Sequence, residues 1–142
     1  MASLEENVLV GFINKLKEWP LPEDWTWEKN IARPKIAFEP VTDEPFVQTN
    51  VQFEPGIETD IALELETIRP GMFQCNVMWP TGQGMKDPLG VRSSIRTFFR
   101  RGTEIYESGT LIRIIQDPED GPSFDGSVHD TYPLTIRWIV YP

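Results

Sequence analysis

The feature of this sequence that most constrains its fold is the spacing of apolar residues in two segments, 71–79 and 132–141. In both segments apolar side chains recur at every second position, and an extended strand places such positions on one face. These positions are Phe73, Cys75, Val77 and Trp79 in the first segment and Leu134, Ile136, Trp138 and Val140 in the second. The two segments are therefore predicted to be strands that each have one buried face.

The N-terminal segment has its apolar residues at helical spacing instead. Ser3 and Glu6 have the spacing of a capping box, and apolar residues recur at intervals of four: Leu4, Val8, Phe12 and Leu16. This pattern predicts a helix over 4–18, because Pro20 forces the residue before it out of the helical region. Gly11 lowers the helix propensity by about 1 kcal/mol relative to alanine, so packing must hold this helix.

A second helix is predicted over 89–101. Asp87 and Pro88 suit its cap and first turn, and Gly102 is placed to end it. Its apolar face consists of Val91, Ile95, Phe98 and Phe99. We assign this face to the core, because apolar residues at helical spacing are usually buried.

Shorter alternating segments predict a first hairpin. A short strand is expected at 36–39 and a longer one at 46–53. Pro55 and Gly56 then suit a turn, and apolar residues alternate after it at Ile61, Leu63 and Leu65. We therefore expect a hairpin with one apolar face in this part of the chain.

A second hairpin is predicted from 104–107 and 110–116, with its turn at Ser108 and Gly109. The segment 19–35 contains several prolines and is not expected to form a regular element. It carries three indoles within nine residues, which are unlikely to lie bare in water: Trp19, Trp25 and Trp27. This segment is interpreted as an ordered arm that packs across the core.

The order of predicted elements is helix, strands, helix, strands, with hairpins between neighbours. This order predicts an α+β fold: one mostly antiparallel or mixed sheet with hairpins, covered by two helices. A length of 142 residues suits a single domain over 1–142 with one hydrophobic core.

Composition limits the classes of function. The net charge is −9, with 14 acidic against 6 basic residues in 1–70, which argues against binding a phosphate backbone with the general surface. This acidity serves solubility, repels DNA or pairs with a basic partner. Cys75 is the only cysteine, which excludes an internal disulfide and suits a reducing cytoplasm. We expect neither a signal peptide nor a membrane span, because no segment approaches the roughly 20 apolar residues that a span requires.

No catalytic, cofactor-binding or metal-ligating residue is predicted. The glycine-containing segment 82–86 lacks the Ser or Thr that must follow the lysine of a phosphate-binding loop. His129 and Asp130 are interpreted as a solvated pair rather than a catalytic relay. The acidic residues of 117–130 could offer oxygen ligands to calcium, but their spacing misses the calcium-loop pattern, so a solvated loop is favoured. They are Asp117, Glu119, Asp120, Asp125 and Asp130.

Arg92, Arg96 and Arg100 form the one notable polar pattern. Their spacing of four places all three on one stripe of the second predicted helix. Such a stripe could pair with carboxylates of a neighbouring subunit or contact DNA in the channel of a ring. The alternative, a solvated face with some pairing inside the chain, has equal weight because exposed ion pairs are common and weak.

Four loose motifs follow one another over nearly the full chain. The first is Ile31-Ala32-x-Pro34 followed by Phe38-x-Pro40 and Pro45-Phe46-Val47. The second is Gly71-Met72-Phe73-Gln74-x-x-Val77-x-Trp79-Pro80-x-Gly82-x-Gly84. The third is Phe99-Arg100-Arg101-Gly102, and the fourth is Tyr132-Pro133-Leu134-Thr135-Ile136-Arg137-Trp138. In this order they resemble the tail terminator family of siphophage-type bacteriophages, which includes the lambda-type minor tail protein.

The resemblance implies a compact α+β subunit that assembles into a homohexameric ring. The ring would lie at the head-proximal end of the tail tube in the virion, after assembly in the host cytoplasm. It would bind the tail tube protein, stop tube growth and offer a surface to the connector or neck proteins of the head. Genomic DNA would pass through its channel without sequence-specific binding, and no catalysis is implied. Lys35 and the long hairpin over 46–66 depart from the family pattern.

Three other functions remain open at this stage. A neck or head-completion protein is the nearest, because it is also small and ring-forming. A small enzyme or ligand-binding domain is possible because fold does not settle function. A DNA-binding module is disfavoured by the net charge of −9.

A closed ring needs two different contact surfaces on each subunit. The two hairpins and the C-terminal strand are candidate sheet edges for such contacts. The aromatic positions around the arm at 19–27 are candidate side-chain contacts.

Overall fold

A computed structural model of the chain describes residues 3–40, 43–54, 57–58 and 67–140. This part of the chain contains three helices: α1 (Leu4–Lys17), α2 (Trp27–Asn30) and α3 (Lys86–Phe98). Its strands are β1 (Ile31–Ala32), β2 (Phe46–Phe53), β3 (Ile57–Glu58), β4 (Thr67–Pro80), β5 (Glu104–Glu107), β6 (Thr110–Ile114), β7 (Glu119–Asp120), β8 (His129–Tyr132) and β9 (Leu134–Val140). The predicted α+β class is confirmed.

The strands form a mixed sheet whose main path runs β1-β2-β4-β9-β6-β5. Strands β3 and β8 pair with β4, and β7 pairs with β9. Among the described strands only β1 and β2 pair in parallel, and the other pairs are antiparallel. The sheet is therefore mostly antiparallel, as the hairpin pattern predicted.

The two central strands are those with the clearest alternation in the sequence. One face of β4 and β9 is fully buried, through Phe73, Cys75, Val77, Leu134, Ile136, Trp138 and Val140. The predicted strand over 132–141 is divided, because Pro133 has no N–H to donate to the ladder. Its two parts, β8 and β9, pair with β4 in a continuous register on either side of that residue.

Helices α1 and α3 cover this buried face. The Phe12 ring of α1 stacks on Phe73 with the ring centres 4.6 Å apart, and Phe99, the residue after α3, lies 5.7 Å from Phe73. Gly11 lets α1 approach the β5–β6 hairpin closely, since a Cβ there would lie 2.9 Å from Cδ1 of Ile112. The predicted first helix is confirmed, with Ser3 as its cap.

The second predicted helix is three residues out of place at both ends. Helix α3 begins at Lys86 after Met85, so Asp87 and Pro88 lie inside its first turn, where a missing N–H costs nothing. It ends at Phe98 rather than at residue 101. Gly102 belongs to the turn before β5 instead, with a φ of +89° and its N–H bonded to the carbonyl oxygen of Ile114.

The arm over 19–35 packs on the core as predicted, but it contains two regular elements that the prolines did not predict. Its short helix α2 is capped by Thr26, and the buried Asn30 side chain ties it to Pro45. The prediction of a strand at 36–39 is wrong. The extended backbone occurs earlier, in β1, and it ends there because Pro34 and the positive φ of Lys35 (+53°) break it.

The second hairpin is confirmed, although β6 ends at Ile114 rather than at residue 116. Ser108 and Gly109 both have positive φ, as a type I′ turn requires. In the first hairpin the strand over 46–53 is confirmed as β2. The turn at Pro55 and Gly56 and the alternating segment 59–66 lie outside the described residues.

Candidate functional site

The two ends of the sheet are the candidate surfaces for assembly. At one end β1 pairs only with Val47 and Gln48, so β2 has no strand partner on its outer side from Asn50 to Phe53 within the described part of the chain. At the other end β5 pairs with β6 alone. The two hairpins therefore each supply an edge. The C-terminal strand does not, because β9 lies between β4 and β6.

Exposed apolar side chains accompany both edges. On β5, Tyr106 is 73% exposed and lies on the sheet face opposite the helices. On the β2 side, Phe53 is exposed but packs on Trp138, with the ring centres 5.6 Å apart. Phe53 and Leu9 line a cleft of about 500 Å³ between α1 and the β2 edge. These two surfaces differ in shape and composition, as the contacts of a ring require.

The sheet face opposite the helices is rich in amides near the β2 edge. It carries Gln48, Asn50, Gln52, Gln74 and Asn76 from β2 and β4. Some of these side chains line a cleft of about 570 Å³ closed on its other side by the segment 32–40. The Oδ1 atom of Asn76 is buried there without a hydrogen-bond partner.

The predicted arginine stripe is divided by the fold. Arg92 is turned inward: its side chain is 12% exposed, and its Nη1 donates to the carbonyl oxygens of Gly121 (2.8 Å) and Pro133 (3.2 Å). Its Nε lies 3.5 Å from the Asp120 carboxylate. Arg92 thus fastens the end of β7 and the junction between β8 and β9 to helix α3.

Arg96 and Arg100 remain on the surface. Arg96 donates from Nε to the carbonyl oxygen of Pro118 at 3.2 Å and is otherwise exposed. Arg100 is exposed and has no salt bridge to any described residue. That the stripe forms a subunit interface or lines a channel stays a prediction, now restricted to these two residues.

Four of the five acidic residues of 117–130 have partners inside the chain, Asp120 through its contact with Arg92. Asp117 accepts the backbone N–H of Arg101, and the Glu119 carboxylate lies 3.2 Å from Nε of Arg137. Asp130 accepts the backbone N–H of Gly126. In the described part of the chain, His, Cys, Asp and Glu form no group of three or more that could hold a metal ion.

His129 is not the solvated residue that its sequence context suggested. Its Nε2 donates to the carbonyl oxygen of Glu44 at 2.8 Å, and its ring packs edge-on against Phe46 with the centres 5.1 Å apart. It therefore joins β8 to the segment before β2.

Cys75 lies in the centre of the sheet and is fully buried. Burial raises the pKa of its thiol far above the ordinary value of 9.0. The thiol is therefore kept protonated and out of contact with solvent.

A cleft between the C-terminal ends of α1 and α3 was missed by the sequence analysis. It has a volume of about 700 Å³ and is lined by Lys15, Trp19, Pro20, Ser94, Thr97, Phe98, Arg100 and Thr103. The sequence carried only a weak signal for this cleft, because the residues that line it come from separate segments and the aromatic ones were assigned to the core. Basic residues near both helix ends were the only hint.

No helix in the described ranges has both the length and the apolar character that a membrane crossing needs.

Comparison with known proteins assigns the chain to a family. It matches the family model described as phage tail terminator protein over residues 12–138. One solved structure is similar with a TM-score of 0.77, at 21% sequence identity and with 99% of both chains covered. At that identity the likeness shows the fold alone. No curated protein matches the chain.

The family match spans most of the chain, from the middle of α1 to Trp138 in β9, and it confirms the resemblance seen in the four motifs. The family is one of structural virion proteins. The protein therefore belongs to the phage tail terminator family and is a structural component of the bacteriophage tail.

Proposed function

We propose that copies of this protein close into a hexameric ring on the head-proximal end of the tail tube. The ring stops the addition of further tube protein and offers a new surface for joining the head. The observation that carries this proposal is the family match over residues 12–138, since members of this family are named for ending the tail.

The geometry of the sheet supports closure into a ring. A ring forms when one surface of each subunit meets a different surface of the next. The β2 edge and the β5 edge lie at opposite ends of the strand order, and they carry different side chains. Contacts between the β2 side of one copy and the β5 side of the next therefore repeat around an axis without using any surface twice.

The charge of the protein supports a passage for DNA rather than a binding site. With a net charge of −9, the ring carries six times that excess of negative charge at neutral pH. Negative charge on the wall of a channel repels a phosphate backbone and keeps DNA from adhering. DNA that leaves the head thus meets no attractive surface on most of the subunit.

The decisive experiment is electron microscopy of purified tail tubes mixed with the protein and free tube protein. We expect a collar at one end of each tube and no further growth from that end. Sedimentation of the protein should give the mass of a hexamer, alone or after contact with tubes. Tubes that elongate equally with and without the protein would refute the proposal. Attachment to the portal or its adaptor instead of the tube would identify a head-completion protein.

A further inference from the structure

We propose that the basic cleft between α1 and α3 receives the acidic segment 58–66 of a neighbouring copy. We define the basic cleft by the residues that line it: Lys15, Trp19, Pro20, Ser94, Thr97, Phe98, Arg100 and Thr103. This inference rests on the proposed ring and names one of its contacts.

The basic cleft has an apolar floor and a polar, cationic rim. Trp19 is buried and donates from Nε1 to the hydroxyl of Ser94, while Phe98 is half-buried. Nζ of Lys15 lies 5.0 Å from the centre of the Phe98 ring. The hydroxyls of Ser94, Thr97 and Thr103 lie around this floor. Such a surface suits a chain segment that alternates apolar and acidic side chains.

The two cations of the basic cleft have no carboxylate partner in the described part of the chain. Neither Lys15 nor Arg100 forms a salt bridge with a described residue. Asp117 lines a small neighbouring cleft with Arg96 and Arg100, but its carboxylate already accepts the N–H of Arg101. Two cations without a carboxylate partner among the described residues, in a chain with a net charge of −9, leave a site for an acidic partner.

The acidic partner with the right pattern lies in the same sequence. Segment 58–66 contains no lysine or arginine and has four carboxylates: Glu58, Asp60, Glu64 and Glu66. Its apolar residues Ile61, Leu63 and Leu65 occupy every second position, so an extended form offers them to an apolar floor. The charge and the alternation of this segment therefore complement the basic cleft.

The topology assigns the contact to two different copies. Segment 58–66 is anchored at Thr67 on β4, and three strand spacings, roughly 14 Å, separate β4 from β5, which Thr103 of the cleft directly precedes. Thr103 lies level with Gly71, four residues along β4 from Thr67, which adds roughly 13 Å in the strand direction and makes the separation about 19 Å. Strands β3 and β4 close the hairpin at Glu58 and Thr67, so the eight residues between them extend about 14 Å at most. The segment is therefore too short to reach the basic cleft of its own copy. We assign it to the basic cleft of the next subunit.

The test uses two charge-reversed variants of the full chain. One carries Lys15→Glu and Arg100→Glu in the cleft, and the other carries Asp60→Lys, Glu64→Lys and Glu66→Lys, which reverse the net negative charge of the segment. Sedimentation should show wild-type hexamers, whereas each variant alone associates about tenfold or more weakly because like charges meet. An equal mixture should recover the hexamer, because copies that alternate around an even-numbered ring pair opposite charges at every contact. Failure of the mixture to recover would overturn the inference.

A matched control separates this contact from a general effect of charge. Lys29→Glu with Lys86→Glu changes the net charge by the same amount as the cleft variant, at two exposed positions outside the basic cleft and outside the clefts at the β2 edge. This variant should assemble like the wild type, and thermal unfolding should show that all variants fold. If both charge-reversed variants assembled normally while the wild type formed rings, only this inference would fail.

Two further outcomes are also decisive. If the wild type assembled only on tube ends, the same variants and their mixture would be compared there, with the same expectations. If it neither assembled nor bound tube ends, the proposed function and this inference would both be refuted. If the cleft variant still formed rings but lost salt-sensitive binding to a short DNA duplex, the cleft would be a DNA contact and the inference would be overturned.

Discussion

Arg92 binds three acceptors that lie far from it in the sequence. Its guanidinium binds the carbonyl oxygens of Gly121 and Pro133 and the carboxylate of Asp120, and its side chain is only 12% exposed. Water competes poorly for a group in that position, so these hydrogen bonds are stronger than those of an exposed ion pair. One side chain thus holds the end of β7 and the junction between β8 and β9 against helix α3.

Replacing Arg92 with methionine should lower the free energy of unfolding by about 2–3 kcal/mol. The change keeps much of the side-chain length but leaves the acceptors unpaired, and hydrogen bonds to charged groups contribute about 1.5–3 kcal/mol. Urea unfolding measures the difference. The control is Arg100→Met, which should stay within about 0.5 kcal/mol of the wild type because Arg100 is exposed. Equal losses for both variants would contradict this account of Arg92.

The buried thiol of Cys75 should make stability depend on pH in alkaline solution. The unfolded chain loses this proton near its ordinary pKa of 9.0, while burial raises the pKa in the folded protein and keeps the proton bound. Above that pH the unfolded state therefore binds fewer protons, and the free energy of unfolding falls by up to about 1.4 kcal/mol per pH unit.

The measurement is urea unfolding between about pH 8 and 10 for the wild type and a Cys75→Ala variant. The variant loses packing at every pH, but its stability should fall less steeply as the pH rises. Parallel slopes would show that the thiol is not the cause. Tyr132, whose pKa is also raised by burial and by Asp130 and Asp125, contributes equally to both proteins and cancels.

At the scale of elements, strand β4 holds the sheet together through an exceptionally close contact. Gly71 lies where the ring of Trp138 crosses β4 beside the carbonyl oxygen of Gln52, and a Cβ at this position would collide with both. Trp138 is completely buried, so its ring has nowhere to move. The strands β2, β4 and β9 therefore depend on this glycine for their packing.

Gly71→Ala should destabilise the protein by about 3 kcal/mol, because overpacking a rigid site forces the backbone or the indole to shift. Gly90→Ala is the matched control. Nothing lies within 4 Å of a Cβ at Gly90, so this change in α3 should be neutral or stabilise by up to about 1 kcal/mol. Thermal and urea unfolding of the two variants compare these outcomes, and similar behaviour of both would argue against the close packing at Gly71.

The elements that could be predicted from sequence are those whose pattern is local. The buried strands β4 and β9 and helix α1 have regular periods over many residues, which no tertiary contact overrides. Helix α3 was displaced because Pro88 fits any position in a first turn. Strand β1 has two residues and exists only because β2 pairs with it, so no period predicts it.

The candidate site was less predictable than the fold for the same reason. Spacing alone put Arg92, Arg96 and Arg100 on one helix stripe, but the structure keeps only Arg92 and Arg96 on α3, because the helix ends at Phe98, before Arg100. The inward role of Arg92, however, depends on carbonyl groups 29 and 41 residues away. The basic cleft combines side chains from α1, from α3 and from the turn before β5, which only the folded chain brings together.

At the scale of the whole molecule, charge and edge surfaces are distributed unevenly. The acidic segment joins β3 to β4, and β2 forms one end of the sheet with β1. Strand β5 forms the other end, and Thr103 of the basic cleft directly precedes it. A subunit with unlike ends associates head to tail more readily than with two copies of the same end.

Tyr106→Asp should weaken assembly without weakening the fold. Tyr106 is 73% exposed on β5, so the change should alter the free energy of unfolding by no more than about 0.5 kcal/mol. At a subunit contact the same change buries a carboxylate, and the ring should dissociate at higher protein concentrations than the wild type does. Sedimentation over a dilution series measures this. Phe124→Asp, at an exposed aromatic between β7 and β8, should leave the ring unchanged.

The shortness of β5 has a consequence for the free subunit. This edge strand has four residues, and Glu104 and Glu107 stand at its two ends. An unprotected edge strand can pair with strands of further chains and so form fibrils. Charged residues at the ends of the edge strand disfavour this pairing. The short β5 edge with its charged ends therefore protects the free subunit from amyloid-like aggregation.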